Sequence, residues 1–330
     1  MTTIERDLAV IGAGPAGLYA AYYAGFRRLS SVIIDSLPEP GGQIAAMYPE
    51  KPIYDVAGFP SVKGRDLVAN LVAQAAAFDP TYLLNEPATA LSSGADGTME
   101  IRTKAGTTVH ARAVVISGGI GTFTPRSLPA GDQWLGRGLS FFVPSLQAHA
   151  DQDVVVVGGG DSACDWALSL EQIARSVTLV HRRAAFRAHA HTVGQLRTSA
   201  VEIITNAEVT KISGNGRIES VEITAKDGTG EIRPADAVIA ALGFTANLGP
   251  MREWGVEIVD NRYIPVDTAM ATNLPGVFAI GDITEYPGKV RLISVGFGEA
   301  AIAVNNAAVR LNPEEQLFPG HSSDAIPAPA

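Results

Sequence analysis

The chain has 330 residues, 46% of them apolar and 18% charged, and 34 acidic against 25 basic side chains leave a net charge of −9. That length predicts two domains with cores of their own, and that charge excludes a global footprint for nucleic acid or an anionic membrane. A single cysteine, Cys164, excludes an intrachain disulfide and a C-x-x-C redox pair, and a cytoplasmic compartment is expected.

The opening stretch, residues 7–17, reads DLAVIGAGPAG. Residues 8–11 form a short buried strand. Gly12, Gly14 and Gly17 then supply G-x-G-x-x-G, with Pro15 and Ala16 inside it, and residues 18–26 continue as an apolar helix. Each glycine answers a separate need, in turn the tight turn, the close approach of a pyrophosphate, and the close packing of helix on strand. The helix N-terminus offers unpaired N–H groups and a positive dipole end to the phosphates. Residues 31–34 are the next strand, and Asp35 at its end lies 23 residues past Gly12. A ribose-binding carboxylate is expected at about 20. Residues 8–26 carry no charge, but Pro15 and the glycines interrupt them and the flank Glu5-Arg6-Asp7 is not basic, so no membrane segment is expected.

Residues 38–43, ending in Gln43, form a loop at the carboxyl end of the second strand, where open α/β sheets take ligands. A long irregular loop, residues 48–55, begins at Tyr48. Leu67, Val68, Leu71, Val72 and Ala75 give residues 65–78 the stripe of a core-facing helix. Residues 99–102 and 107–110 flank a Lys104-Ala105-Gly106 turn as a hairpin, and residues 113–116 form another short strand. Pro125, Pro129 and Gly131 mark a domain crossing.

The next unit repeats the opening. Residues 154–157 are a strand, Gly158, Gly160 and Ala163 give G-x-G-x-x-A, residues 166–174 are helical, and 176–180 are the second strand. Asp161 and Ser162 stand at the helix start, where Asp161 reads as a catalytic acid or as an N-terminal cap. One step differs. His181-Arg182-Arg183 stands where the first copy has Asp35. A carboxylate there repels a 2′-phosphate, whereas guanidinium groups bind it, often bidentately. The first site is therefore expected to hold an unphosphorylated adenosine ribose and the second NADP(H), with Arg187, His189 and His191 as further candidates.

Residues 202–205, 209–212, 220–223 and 231–233 read as strands, residues 237–241 are apolar, and Gly243-Phe244 marks the return crossing. Residues 275–282 form a short strand that delivers Asp282 at its carboxyl end, and residues 297–309 are a helix. Composition reads the Pro-, Ser- and Ala-rich tail after Pro313 as disordered. No nucleophile–base triad, H-E-x-x-H or Cys/His spacing is present, so no metal site is expected. Two nucleotide-binding units in one chain point to a bound flavin dinucleotide that receives hydride from a nicotinamide.

The stretches IGAGPAGL, GGQIAAMYPEKPIYDVAGFP, GGGDSACDWAL, HRRAAFRAHAHTV, GVFAIGD and KVRLISVGFGEAAIAVNNA resemble, end to end, the thioredoxin-reductase-like class of ferredoxin/flavodoxin–NADP reductases. That resemblance implies an α/β fold of two Rossmann-like, three-layer ββα nucleotide-binding domains of the thioredoxin-reductase-like flavoprotein type. It implies FAD in a discontinuous domain, residues 1–118 with 247–330, an NADPH domain at 119–246 between them, and a homodimer. Carried over by position, Gly12, Gly14 and Gly17 would meet the FAD pyrophosphate and Asp35 the adenosine ribose. Gln43 would lie by the flavin chain, Tyr48 on one flavin face, and Asp282 on the ribityl hydroxyls. The tail 313–330 would fold over the flavin of the partner subunit and stack His321, followed by Ser322, on the other face; Phe318 is the alternative ring.

Thioredoxin reductases of this architecture carry C-x-x-C just before the second glycine motif. Residues 138–145 here read GLSFFVPS, without a cysteine. The expected activity is therefore direct electron transfer from NADPH through FAD to ferredoxin or flavodoxin, with hydride passing to flavin N5 and single-electron steps following. The alternatives are an NAD(P)H oxidase or quinone reductase, and a non-enzymatic redox-sensing flavoprotein. Such carriers are acidic, as this chain is, so docking calls for a local basic patch, with Arg126 or Arg137 as candidates.

Overall fold

A computed structural model describes residues 2–119 and 121–321. The chain divides into two compact units, Met1–Thr122 with Ala246–Ala330, and Phe123–Thr245.

The first unit is built on one sheet, in the order Thr81–Leu83, β2 (Ser31–Ile34), β1 (Thr3–Ile11), Thr108–Ile116, Met99–Thr103, Ala88–Ser93; Val277–Ala279 also pairs with Thr108–Ile116. β1 runs parallel to both neighbours, with Leu8 level with Ser31 and Ala113, and Ile11 level with Ile34 and Ile116. A parallel pair needs a crossover, and α1 (Pro15–Phe26) supplies it between β1 and β2. Both faces of the sheet are covered, which explains the unbroken apolar run at Leu8–Ile11. Leu8 and Val10 face α1, α3 (Gly64–Ala76) and α6 (Ile293–Leu311), while Ala9 and Ile11 face Leu248, Met251 and Trp254. α1 is apolar almost all round because it lies between the sheet and these two helices. Among the described residues, no helix is long and apolar enough to cross a membrane.

Three expectations shift here. Residues 107–110 and 113–116 belong to a single strand, Thr108–Ile116, whose register with β1 runs through the charged step: Arg112 pairs with Asp7 at 3.0 Å. α1 begins at Pro15 rather than at residue 18, because proline suits the first turn of a helix. The tail after Pro313 is not loose from its start. The buried Arg27 guanidinium donates to Glu315 Oε2 at 2.7 Å, to the Gln316 and Leu317 carbonyl oxygens at 3.1 Å, and to Asn305 Oδ1 at 2.7 Å.

The second unit repeats the scheme. Its parallel sheet has the order Leu139–Ser140, Ala237–Ala240, Asp153–Val157, Ser176–His181, Glu202–Thr205, and a three-stranded meander runs through Ala207–Ser213, Ser220–Ala225 and Gly230–Pro234. α4 (Asp161–Glu171) crosses from Asp153–Val157 to Ser176–His181. It starts five residues earlier than the apolar pattern predicts. Asp161 and Ser162 break the apolar pattern, yet they belong to the first turn, where an acid is favoured by the helix dipole. Both units are Rossmann-like α/β domains.

Candidate functional site

The first glycine loop leaves β1 at Gly12, whose φ of +114° suits glycine, and a Cβ there would strike the Ser117 carbonyl. At Gly17 a Cβ would land on the Gly12 carbonyl oxygen, so the helix lies as close to the turn as a backbone allows. Gly14 is different: nothing stands within 4 Å of its Cβ position, and as the N-cap of α1 it has no side-chain cap. The first turn of α1 thus has no side-chain cap and the space beside Gly14 is open, a fit for the pyrophosphate of a dinucleotide. Asp35 is buried beside this loop. Its Oδ2 accepts the Ala13 N–H and its Oδ1 accepts the Leu37 N–H at 2.8 Å, which leaves each oxygen a second lone pair for a ribose hydroxyl. Burial raises its pKa from the usual carboxylate value, against the pull of these N–H donors.

Two further segments close on the loop. α2 (Gly42–Met47), which sequence patterning misses, opens on Gly42, where a Cβ would stand 3.0 Å from Gly14 Cα. Its next residue, Gln43, places Nε2 3.0 Å from the Cβ position of Gly119. From the other side, Val277–Ala279 leads into a turn at Gly281–Ile283 that carries Asp282. A Cβ at Gly281 would stand 3.5 Å from Ala16 Cβ, and one at Gly296 on α6 would stand 3.2 Å from the same atom, so Asp282 lies alongside the first turn of α1.

Tyr48 follows α2 as its C-cap residue. Burial chiefly, with Asp282 and Asp55 adding repulsion, pushes its hydroxyl pKa up to about 12, so near neutral pH it offers a neutral ring rather than an acid or base. The irregular loop after Tyr48 contains a short strand, Pro52–Ile53, paired antiparallel with Val62–Lys63. Buried Glu50 fastens this loop by accepting from Lys63 at 3.3 Å and from Arg65. The structure therefore brings Gly12, Gly14, Pro15, Ala16, Gly17, Asp35, Gln43, Tyr48 and Asp282 around the carboxyl end of one sheet.

In the second unit, Gly160 repeats Gly14: its Cβ position is open and α4 has no side-chain cap. Asp161 is not that cap, as one of the two expected roles had it. Its Oδ1 accepts the His189 N–H at 2.8 Å and so ties the loop after Ser176–His181 to the helix start. Arg187 adds a second tie, its N–H donating to the Gly159 carbonyl at 2.7 Å. His181 is buried, stacked on Phe186 with ring centroids 5.2 Å apart, and its Nε2 lies 3.2 Å from the Ala185 carbonyl oxygen. Burial above all holds its pKa below the usual imidazole value, and Arg183, Arg182 and Arg187 push the same way against the Ala185 bond. Arg182, Arg183 and Arg187 are exposed around this neutral ring, an arrangement that fits a dinucleotide with an extra phosphate. Ser162 is exposed at the helix start, Ala163 packs under Gly158, and the His189 and His191 side chains are exposed.

A model of the pyridine nucleotide-disulphide oxidoreductases matches residues 6–307. The chain belongs to that family. It is 63% identical over 324 residues to a ferredoxin–NADP reductase of Nocardioides sp., covering 97% of this chain and 98% of that one. It is 61% identical to the ferredoxin–NADP reductase of Salinispora tropica, covering 97% and 99%, and 47% identical to that of Halalkalibacterium halodurans, covering 96% and 97%. Among solved structures it is similar to a thioredoxin reductase of T. acidophilum, with a TM-score of 0.77 at 25% identity over 93% of this chain and 99% of that one. A Lactococcus lactis thioredoxin reductase shares the fold with a TM-score of 0.75 at 24% identity, over 92% and 99%.

The remaining expected positions lie elsewhere in this pyridine nucleotide-disulphide oxidoreductase. His321 is exposed, its ring 5.3 Å from that of Phe318 and at 75° to it, and Ser322 lies outside the described residues. Arg126 and Arg137 are exposed in the second unit. Cys164 is buried, and burial with nearby Asp165 and Asp161 pushes its thiol pKa up to about 11. Sequence reading misses Glu50, Lys289 and Glu299, whose charges are paired through the fold and leave no local pattern.

Proposed function

We propose that this chain is a ferredoxin–NADP reductase, with FAD in the first unit, NADPH in the second, and ferredoxin or flavodoxin as the electron carrier. The observation that carries the reading is the difference between two otherwise matching loops: a buried carboxylate beside Gly14, and a neutral histidine ringed by three arginines beside Gly160. FAD, when bound, supplies the chemistry that links hydride from a nicotinamide to single-electron carriers. The chain supplies binding, orientation and exclusion of water. The N–H groups of α1 hold the diphosphate, Asp35 the adenosine ribose, and Gln43 and Asp282 the chain that runs on toward Tyr48. Tyr48, neutral and largely buried, covers one ring face without taking or giving a proton. Arg182, Arg183 and Arg187 hold the 2′-phosphate, and Gly158, Gly160, Asp161, Ser162 and Ala163 form the pyrophosphate end of that second site.

A sequence without C-x-x-C supports electrons leaving without a dithiol step. The family resemblance supports a homodimer in which His321 and Ser322 cover the flavin of the partner subunit, and a single, buried cysteine fits a cytoplasmic place of action. The test is NADPH consumption with and without added ferredoxin or flavodoxin, with oxygen uptake followed in parallel. Rapid consumption that depends on the carrier is expected. Oxygen or a quinone reduced equally fast without any carrier would replace this reading with an oxidase or quinone reductase.

A further inference from the structure

The turn that carries Asp282 rests on a buried ion pair. The side chains of Lys289 and Glu299 are 1% and 3% exposed. Lys289 Nζ donates to Glu299 Oε1 and, at 2.9 Å, to the Gly281 carbonyl oxygen. Tyr286 OH donates to Glu299 Oε1 at 2.6 Å, and Glu299 Oε2 accepts the Gly281 N–H at 2.6 Å. Buried Thr284 adds a hydroxyl on the same Gly281 carbonyl at 2.8 Å. Both backbone polar groups of the residue just before Asp282 are thus committed to this pair.

Burying two charges costs so much desolvation that an apolar pair of similar volume is often as stable or more so. Stability alone does not account for these charges. What an apolar pair lacks is direction, because it has nothing with which to grip the N–H and C=O of Gly281. Gly281 sits at φ +78° and packs against Ala16, and Glu299 stands one helical turn beyond Gly296, which packs on the same Ala16. The pair therefore joins α6, the Asp282 turn and the first turn of α1 at one point.

We infer that Lys289 and Glu299 are positioning residues for Asp282, fixing its carboxylate where a dinucleotide chain passes from the α1 loop toward Tyr48. The inference rests on the reading of the first unit as the FAD site. It gives the pair a part in binding that a merely structural pair would not have.

The experiment compares FAD release from the holoenzyme, followed by recovery of free-flavin fluorescence, in wild type, Asp282→Asn, Lys289→Met/Glu299→Gln and the triple variant. Circular dichroism checks the fold of each. The double variant keeps an acceptor for Gly281 N–H but removes the lysine's hold on its carbonyl, leaving only the Thr284 hydroxyl there, and it leaves no buried charge unpaired. Asp282→Asn and the double variant are each expected to release FAD at least tenfold faster. The triple variant is expected to be no faster than the double, since the two changes act through one group. Wild-type release from the double variant, with Asp282→Asn fast, would overturn the inference and leave the FAD reading standing. Wild-type release from Asp282→Asn as well would overturn the placement of FAD itself. Should the double variant fail to fold, Tyr286→Phe/Thr284→Val keeps the ion pair while loosening its hold; at least threefold faster release is then expected, and an unchanged rate overturns the proposal.

Discussion

The ring of His181 fills the space where a Cβ on Gly159 would stand. At the matching step of the first unit, Asp35 instead accepts the N–H of Ala13. One strand–turn–helix scaffold thus carries two solutions. A carboxylate bonded to the loop leaves lone pairs for hydroxyls, and a packed neutral ring leaves the rim to arginines.

Gly159 is the unspecified position of G-x-G, so the fingerprint does not require glycine there, but the histidine ring does. Gly159→Ala is expected to displace His181, which Phe186 backs on its other side. The KM for NADPH should rise by tenfold or more while FAD stays bound. Steady-state kinetics with the flavin content measured on the same sample checks this.

On the proposed reading, the arginine rim sets the choice of nicotinamide cofactor. Charge-assisted hydrogen bonds are worth roughly 1.5–3 kcal/mol each. Arg182→Ala and Arg183→Ala are therefore each expected to lower the NADPH/NADH ratio of kcat/KM by about tenfold or more. An unchanged ratio in the double variant would refute the assignment of the 2′-phosphate.

His181 also predicts a dependence on pH. Its pKa in the folded chain lies below the unfolded value, so the unfolded state takes up the proton first. Its contribution to stability is present above the unfolded pKa of about 6.5 and is lost as pH falls from there toward the folded pKa. Unfolding of the second unit should grow easier between about pH 7 and pH 5, and His181→Asn should flatten that slope. Urea midpoints across this range provide the measurement.

Cys164 is expected to be dispensable. Its buried thiol, with a pKa pushed up to about 11, stays protonated at neutral pH and behaves as a small apolar side chain. Cys164→Ala should keep carrier-dependent activity, and alkylating reagents should leave the activity of both forms unchanged. Loss of activity with FAD and NADPH still bound would point to a thiol step.

The tail gives the fifth prediction. Deleting residues from Phe318 onward spares the contacts of Arg27 with Glu315, Gln316 and Leu317, so folding and FAD content should not change. If the tail covers a flavin as proposed, the absorbance bands and the rate of oxygen reduction should change, because an uncovered ring face meets solvent, and His321→Ala should reproduce much of this. Identical spectra and identical single-turnover traces would leave the tail without a part in the reaction.

What was legible in the sequence is what short-range chemistry writes there. The spacing of Gly12, Gly14 and Gly17 and the apolar runs at the β1 and β2 positions depend on neighbours a few residues away. So does the stripe Leu67, Val68, Leu71 and Ala75, all of which are buried on α3. The misreadings share a cause. Arg112 breaks the apolar pattern of its strand because its partner, Asp7, is 105 residues distant in sequence. Asp161 looked like a cap because His189 lies 28 residues further on. Lys289 and Glu299 carry no local pattern in the sequence, and only the folded turn at Gly281 shows why both are buried. The tail read as disordered because Arg27, which pins it, stands almost a full chain length away.

That pin sets a radius. With Leu317 held by Arg27, His321 lies four Cα–Cα steps beyond the anchor, and an extended chain of that length spans at most about 14 Å. On the proposed reading, in which His321 covers the partner subunit's flavin, this tether holds the imidazole at an effective concentration on the order of millimolar for a flat ring inside that sphere. Such a tether covers a face by local abundance rather than by tight contact. On that reading, a nicotinamide that needs the same face has only to outcompete a weak, nearby ring.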